Sequence, residues 1–85
     1  MLTQDQTLPP GISKTSGVLG GEACIRSTRI GVWMLVHARQ LGISDEELLV
    51  RYDPPLTEED LQNAWSYYAT HREEIDAAIR RNEDD

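Results

Sequence analysis

LGISDEELLVRYDPPLTEEDLQNAWSYY, residues 41–68, reads as two helices of unequal length, each opened by its own cap and joined by a short proline turn. Ser44 with Glu47 fits a capping box, in which the hydroxyl accepts from one free amide and the carboxylate from another. Thr57 with Asp60 offers a weaker version, because the shorter aspartate reaches the cap amide less well. Gly42 sits where a preceding helix needs a left-handed residue, and Ile43 follows as its hydrophobic contact. Residues before proline avoid the α region, so Asp53-Pro54-Pro55 ends the shorter helix. Helix, glycine turn, short helix, proline turn, longer helix is the order of a helix-turn-helix module. It points to binding rather than catalysis.

Working outward, a first helix is expected over Val32–Leu41, with Val32, Leu35, Val36 and Trp33 facing inward. The second, Asp45–Tyr52, buries Leu48 and Leu49. The third starts after Thr57, and its apolar stripe is Leu61, Ala64, Trp65 and Tyr68, continued by Ile75 and Ile79 at close to helical period. That stripe assigns Trp65 and Tyr68 to the core and Tyr67 to the surface. Polar Thr70-His71-Arg72 interrupts it, so a kink or a separate fourth helix is expected there.

Residues 11–30 are rich in Gly, Ser and Thr, with β-prone pieces at Gly11–Lys14 and Ala23–Ile30 and a Gly20-Gly21 turn between them. Two isolated strands are unstable in water, so this ribbon must pack on the helices or pair with a second chain. With so small a core, the second option makes a strand-exchanged homodimer attractive. The expected fold is therefore mainly α: a small helix-turn-helix domain of three to four helices with an N-terminal β-ribbon. Residues 1–10 form a flexible arm, 11–81 a single domain (ribbon 11–30, helices 31–81), and 82–85 a frayed acidic tail.

Eighty-five residues allow one small domain, burying about 60–65% of the surface its unfolded chain exposes. No apolar run approaches the length of a membrane span. MLTQDQTLPP lacks the basic and apolar regions of a signal peptide. A single cysteine, Cys24, cannot form an internal disulfide and reads as a small buried hydrophobe. A cytoplasmic setting is the expectation.

The net charge of −7 hides a division. Residues 1–43 carry four cations against two carboxylates, +2, whereas residues 44–85 carry four arginines against thirteen carboxylates, −9. A polyanion would be met by the first half and a basic partner by the second.

No P-loop, dinucleotide fingerprint or zinc spacing is present. His37 reads as a half-buried packing residue, and His71 as serving the end of the third helix, where a cation is favoured. Glu58, Glu59 and Asp60 suit a first helical turn better than a metal site. No catalytic, metal or cofactor residue is expected, and the protein reads as a binder rather than an enzyme.

GGEACIRSTRIGV, LGISDEELL and LTEEDLQNAWSYYATHREEID together resemble the bacterial domain-of-unknown-function family 433 over about residues 11–80. Ala23, Ser27 and Gly31 depart from its usual Pro, Gly and Pro, and one extra residue stands within Tyr52–Pro55. The resemblance implies a homeodomain-like helix-turn-helix fold. It also implies kinship with VapB-type antitoxins encoded beside PIN-like ribonuclease toxins, and so a dimer that caps a toxin and binds operator DNA. Three carboxylates at the start of the third helix would repel phosphates at the usual reading end. DNA contact is therefore expected from Lys14, Arg26 and Arg29, unless Arg29 pairs with a carboxylate of the second or third helix. Tyr67, Arg72, Arg80 and Arg81 are the candidates for contact with a protein partner. A protein-interaction module with this fold and no DNA binding is the alternative.

Overall fold

A computed structural model describes residues 11–14, 21–26, 28–53 and 55–83. The arm expected over residues 1–10, Gly20 of the ribbon turn, Ser27, Pro54 and the last two residues of the tail lie outside them. Two short strands, β1 (Ile12–Ser13) and β2 (Cys24–Ile25), precede four helices: α1 (Val32–Gln40), α2 (Asp45–Arg51), α3 (Glu58–Thr70) and α4 (Arg72–Glu83). The chain is thus mainly helical with a small antiparallel ribbon at its N-terminal end. No described helix is long and apolar enough to cross a membrane.

Local chemistry accounts for the helix boundaries. At the end of α1, Ile43 N–H donates to Ala38 and Gly42 N–H to Arg39, both at 3.0 Å, with Gly42 at φ +95°. This is the paired Schellman arrangement, and it needs the left-handed residue that glycine supplies without steric cost. Gly42→Ala is expected to cost about 1 kcal/mol, because a Cβ disfavours this backbone conformation. Open space surrounds the position, so no packing gain offsets the strain. A denaturation midpoint equal to that of the unmodified chain would contradict this.

Both capping boxes form, but their expected order is reversed. Thr57 N–H donates to Asp60 Oδ2 at 2.9 Å, whereas Ser44 N–H reaches Glu47 Oε1 only at 3.4 Å. Glu47 is exposed and competes with water, while Asp60 is held from its other side by Arg26.

The ribbon is shorter than expected. β1 and β2 pair in the register Ile12↔Ile25 and Ser13↔Cys24. Beyond Ile25 the chain turns back: Arg26 adopts φ 49°, Thr28 N–H donates to Ile25 O at 2.9 Å, and Ile25 N–H donates to Ile30 O at 2.9 Å. The Thr28 hydroxyl fixes this turn by donating to Ile25 O at 2.6 Å and accepting from Ile30 N–H at 3.1 Å. The stretch expected to end a strand at Ile30 is therefore mostly a loop that delivers the chain into α1.

α1 packs against α3 and α4, and both strands pack against α3. Ile12, Ala23, Ile25, Val32, Leu35, Val36, Leu48, Leu61, Ala64, Tyr67, Ile75 and Ile79 close the core. Ile25 is fully covered by this chain's own residues, so the ribbon needs no second chain to shelter it. At Gly11, φ +85°, just before β1, the chain passes so close to α3 that a Cβ would strike the Asn63 amide.

One face of α3 differs from expectation. Its buried residues are Asp60, Leu61, Ala64 and Tyr67, while Trp65 and Tyr68 are half-buried. Tyr67, placed on the surface by its apolar neighbours' pattern, is only 1% exposed. The helix is rotated so that a charged residue points inward, which requires a partner for its charge. α4 continues as regular helix through Glu83, so the expected frayed tail does not begin at residue 82.

Candidate functional site

The residues singled out for nucleic acid lie on or beside the ribbon, and two of the three turn toward the helices. Arg26 grips Asp60 through two parallel bonds, Nε to Oδ1 at 2.9 Å and an η nitrogen to Oδ2 at 3.0 Å. Such a fork-to-fork pair is geometrically specific and stronger than neutral hydrogen bonds. Asp60 is 3% exposed and also caps α3, so its carboxylate has three donors, two guanidinium nitrogens and the Thr57 amide, while its backbone N–H donates to the Thr57 hydroxyl. The Arg26 contact holds the Asp60 carboxyl below its usual range, and the Thr57 bonds add to it against the opposing effect of burial.

Lys14 Nζ lies 3.0 Å from Glu74 on α4. Tyr67 donates its hydroxyl to the same carboxylate at 2.9 Å. Partial burial alone would lower the Lys14 pKa, but the Glu74 and Tyr67 bonds outweigh it and hold it above the ordinary value. Burial first, then the bond to Glu74, pushes the Tyr67 hydroxyl upward, with Lys14 opposing. His71 stacks on the Tyr67 ring at 3.9 Å and closes the end of α3. A third link, Arg81 to Glu22, ties α4 to the segment before β2. Ion pairs thus tie the two halves of the chain together, with Lys14 and Arg26 of the positive half set on carboxylates of the negative half.

All three candidates are exposed, and Arg29 alone of them makes no ion pair among the described residues. The alternative of a structural arginine is therefore realised by Arg26 and not by Arg29.

The candidates for a protein partner do not gather into one patch. Tyr67 is interior, Arg72 lies over the Tyr68 ring at 5.1 Å, Arg81 is paired with Glu22, and Arg80 is exposed on α4. Sequence reasoning passed over two surface clefts. One, about 340 Å³, lies between α1 and α3 and is lined by Val36, Arg39, Gln40, Trp65 and Tyr68, with the Arg39 guanidinium 5.4 Å from the Trp65 ring centre. The other, about 210 Å³, lies between α2 and α3 above Leu49 and Leu61. The clue to the second was present in the sequence, since both helices open with runs of carboxylates. Cys24 is buried, and no group of three or more metal-binding side chains occurs among the described residues.

Residues 12–68 match the family described as "Protein of unknown function (DUF433)". A crystal structure of a DUF433 member protein from Anabaena variabilis ATCC 29413 is 53% identical to this chain, covering 82% of it and 68% of that chain, with a TM-score of 0.78. No curated protein matches.

Proposed function

The chain belongs to the DUF433 family, and from that premise we propose that it is a protein-interaction module of helix-turn-helix type rather than a reader of DNA or an enzyme. Its partner is a basic protein. The specific form, suggested by the family resemblance, is an antitoxin-like partner of a PIN-like ribonuclease. A ribonuclease must hold a polyanion and so presents a cationic groove, which an acidic helical surface complements.

The pairing of the ribbon cations carries this reading. Lys14 and Arg26, two of the three cations expected to meet phosphates, are held by Glu74 and Asp60. Freeing Arg26 for DNA would leave a buried carboxylate without its cation, a costly exchange. α3 also opens with Glu58 and Glu59 exposed, so the usual reading helix presents repulsion to a phosphate backbone.

Two measurements test the proposal together. The tagged chain is expected to co-purify with the product of the adjacent reading frame. In a mobility-shift salt series it should retain no operator-length duplex near physiological ionic strength. Salt-dependent retention that disappears in Arg29→Ala would overturn the proposal in favour of operator binding. Failure to capture the neighbour's product would remove the antitoxin form.

A further inference from the structure

The cleft between α2 and α3 combines features that the stability of the helices does not explain. Carboxylates in a first helical turn are ordinary, because they offset the helix dipole. An apolar floor beneath them is not required for that purpose. Here Leu49 and Leu61 form the floor, and Glu46, Glu58 and Glu59 stand on the rim without ion pairs among the described residues. Asp45, also on the rim, is neutralised by Arg39. Immediately beside Leu49, and one turn from Glu46, Val50 is 80% exposed. An aliphatic side chain this bare, next to an apolar cleft, extends the surface that a partner can cover.

Resting on the module reading above, we infer that this cleft is the docking site for a basic amphipathic helix of a protein partner. That helix places a leucine-sized side chain over Leu49 and Leu61, lays its apolar edge against Val50, and sets lysines or arginines beside Glu46, Glu58 and Glu59. Charge decides the occupant. A nucleic acid would be repelled from this rim. A second copy of the chain sets like charge against this rim, because its net charge is −7 and four of its eight cations, Lys14, Arg26, Arg39 and Arg81, are already paired within the fold. The i, i+3, i+4 pattern of an amphipathic helix matches a short apolar groove between helices, and rim charges set which partner is admitted.

The test uses the full chain and two fluorescent peptides of about five helical turns. One has leucines at helical spacing with lysine elsewhere, and the other has glutamate in place of lysine. Saturable binding of the lysine peptide and none of the glutamate peptide is expected by anisotropy. Glu46→Gln with Glu58→Gln and Glu59→Gln should weaken the lysine peptide at least about tenfold and flatten its salt dependence. Val50→Ser, at an exposed site where the fold does not depend on the side chain, should weaken it with the salt dependence retained. Equal binding of both peptides, or an affinity unchanged in both variants, would overturn the assignment. The neighbour's gene product separates this from the parent proposal. Its capture by the wild type and the triple variant alike removes the cleft but keeps the module. Peptide binding as expected without capture removes the antitoxin form but keeps the cleft.

Discussion

Asp60→Ala is expected to lower the unfolding free energy by about 2–4 kcal/mol, combining a lost helix cap with lost bonds to a charged partner. For a domain of this size that is a fall in melting temperature of roughly 10–25 °C. Asp60 lies in the first turn of α3 beside Glu58 and Glu59, and by sequence the three look alike. Only Asp60 is buried, and only it joins the ribbon to the helices by gripping Arg26. Glu59→Ala, on the exposed side of the same turn, is the control and should stay within about 0.5 kcal/mol of the parent. Thermal unfolding followed by circular dichroism compares them, and similar melting temperatures for the two variants would defeat the argument.

The same residue sets a pH dependence with a definite sign. Its folded pKa lies below the ordinary 3.8, chiefly through Arg26. The unfolded chain therefore binds this proton more readily. The stabilisation is complete above the unfolded value and is lost as pH falls through the folded one. Acid unfolding of the parent should carry this contribution below about pH 4, and Asp60→Asn should lack it. The asparagine can still accept from Thr57 N–H, so its stability at neutral pH should fall between those of the parent and the alanine variant.

Short-range chemistry made much of the fold legible. The Schellman turn at Gly42 and the boxes at Ser44 and Thr57 involve partners three to five residues apart, and each was placed correctly from the sequence. The break near His71 was legible for the same reason: polar residues interrupt the stripe where α3 gives way to α4. What escaped depends on distant partners. An apolar stripe leaves aspartate outside the core and so turns the expected face of α3 toward Trp65 and Tyr68. Asp60 can face inward only because Arg26, 34 residues away in sequence, satisfies it. The choice of Arg26 over Arg29 was equally hidden, since it depends on a carboxylate 34 residues away. The opposite charges of the two halves were plain, but the ion pairs that join them, Lys14–Glu74, Arg26–Asp60 and Arg81–Glu22, were not. Of the candidate surface, the acidic rim could be read, whereas its leucine floor required the placing of α2 beside α3.

The rotation of α3 also sets the second large effect. Tyr67→Ala should cost about 3–5 kcal/mol, as for other large aromatic side chains removed from a core. That approaches the whole stability of many small domains, at about 0.05–0.15 kcal/mol per residue. Tyr67 is 1% exposed, stacks on His71, and sends its hydroxyl to the carboxylate that Lys14 also holds. It thus joins β1, α3 and α4. Tyr68 is half-buried, with its hydroxyl on Asp76, and Tyr68→Ala should cost only about 1 kcal/mol. Tyr67→Phe divides the effect: the ring remains packed and the loss should be about 0.5–1.5 kcal/mol, the ordinary worth of one hydrogen bond. Alkali adds an independent readout. The Tyr67 pKa is raised above 10.0 by burial and by Glu74, so its contribution is complete below the unfolded value and is lost as pH rises through the folded one. Tyr67→Phe should remove that part of the alkaline slope while Tyr68→Phe leaves it in place. A Tyr68→Ala variant less stable than Tyr67→Ala would mean that the helix faces the core along the stripe of Trp65 and Tyr68 instead.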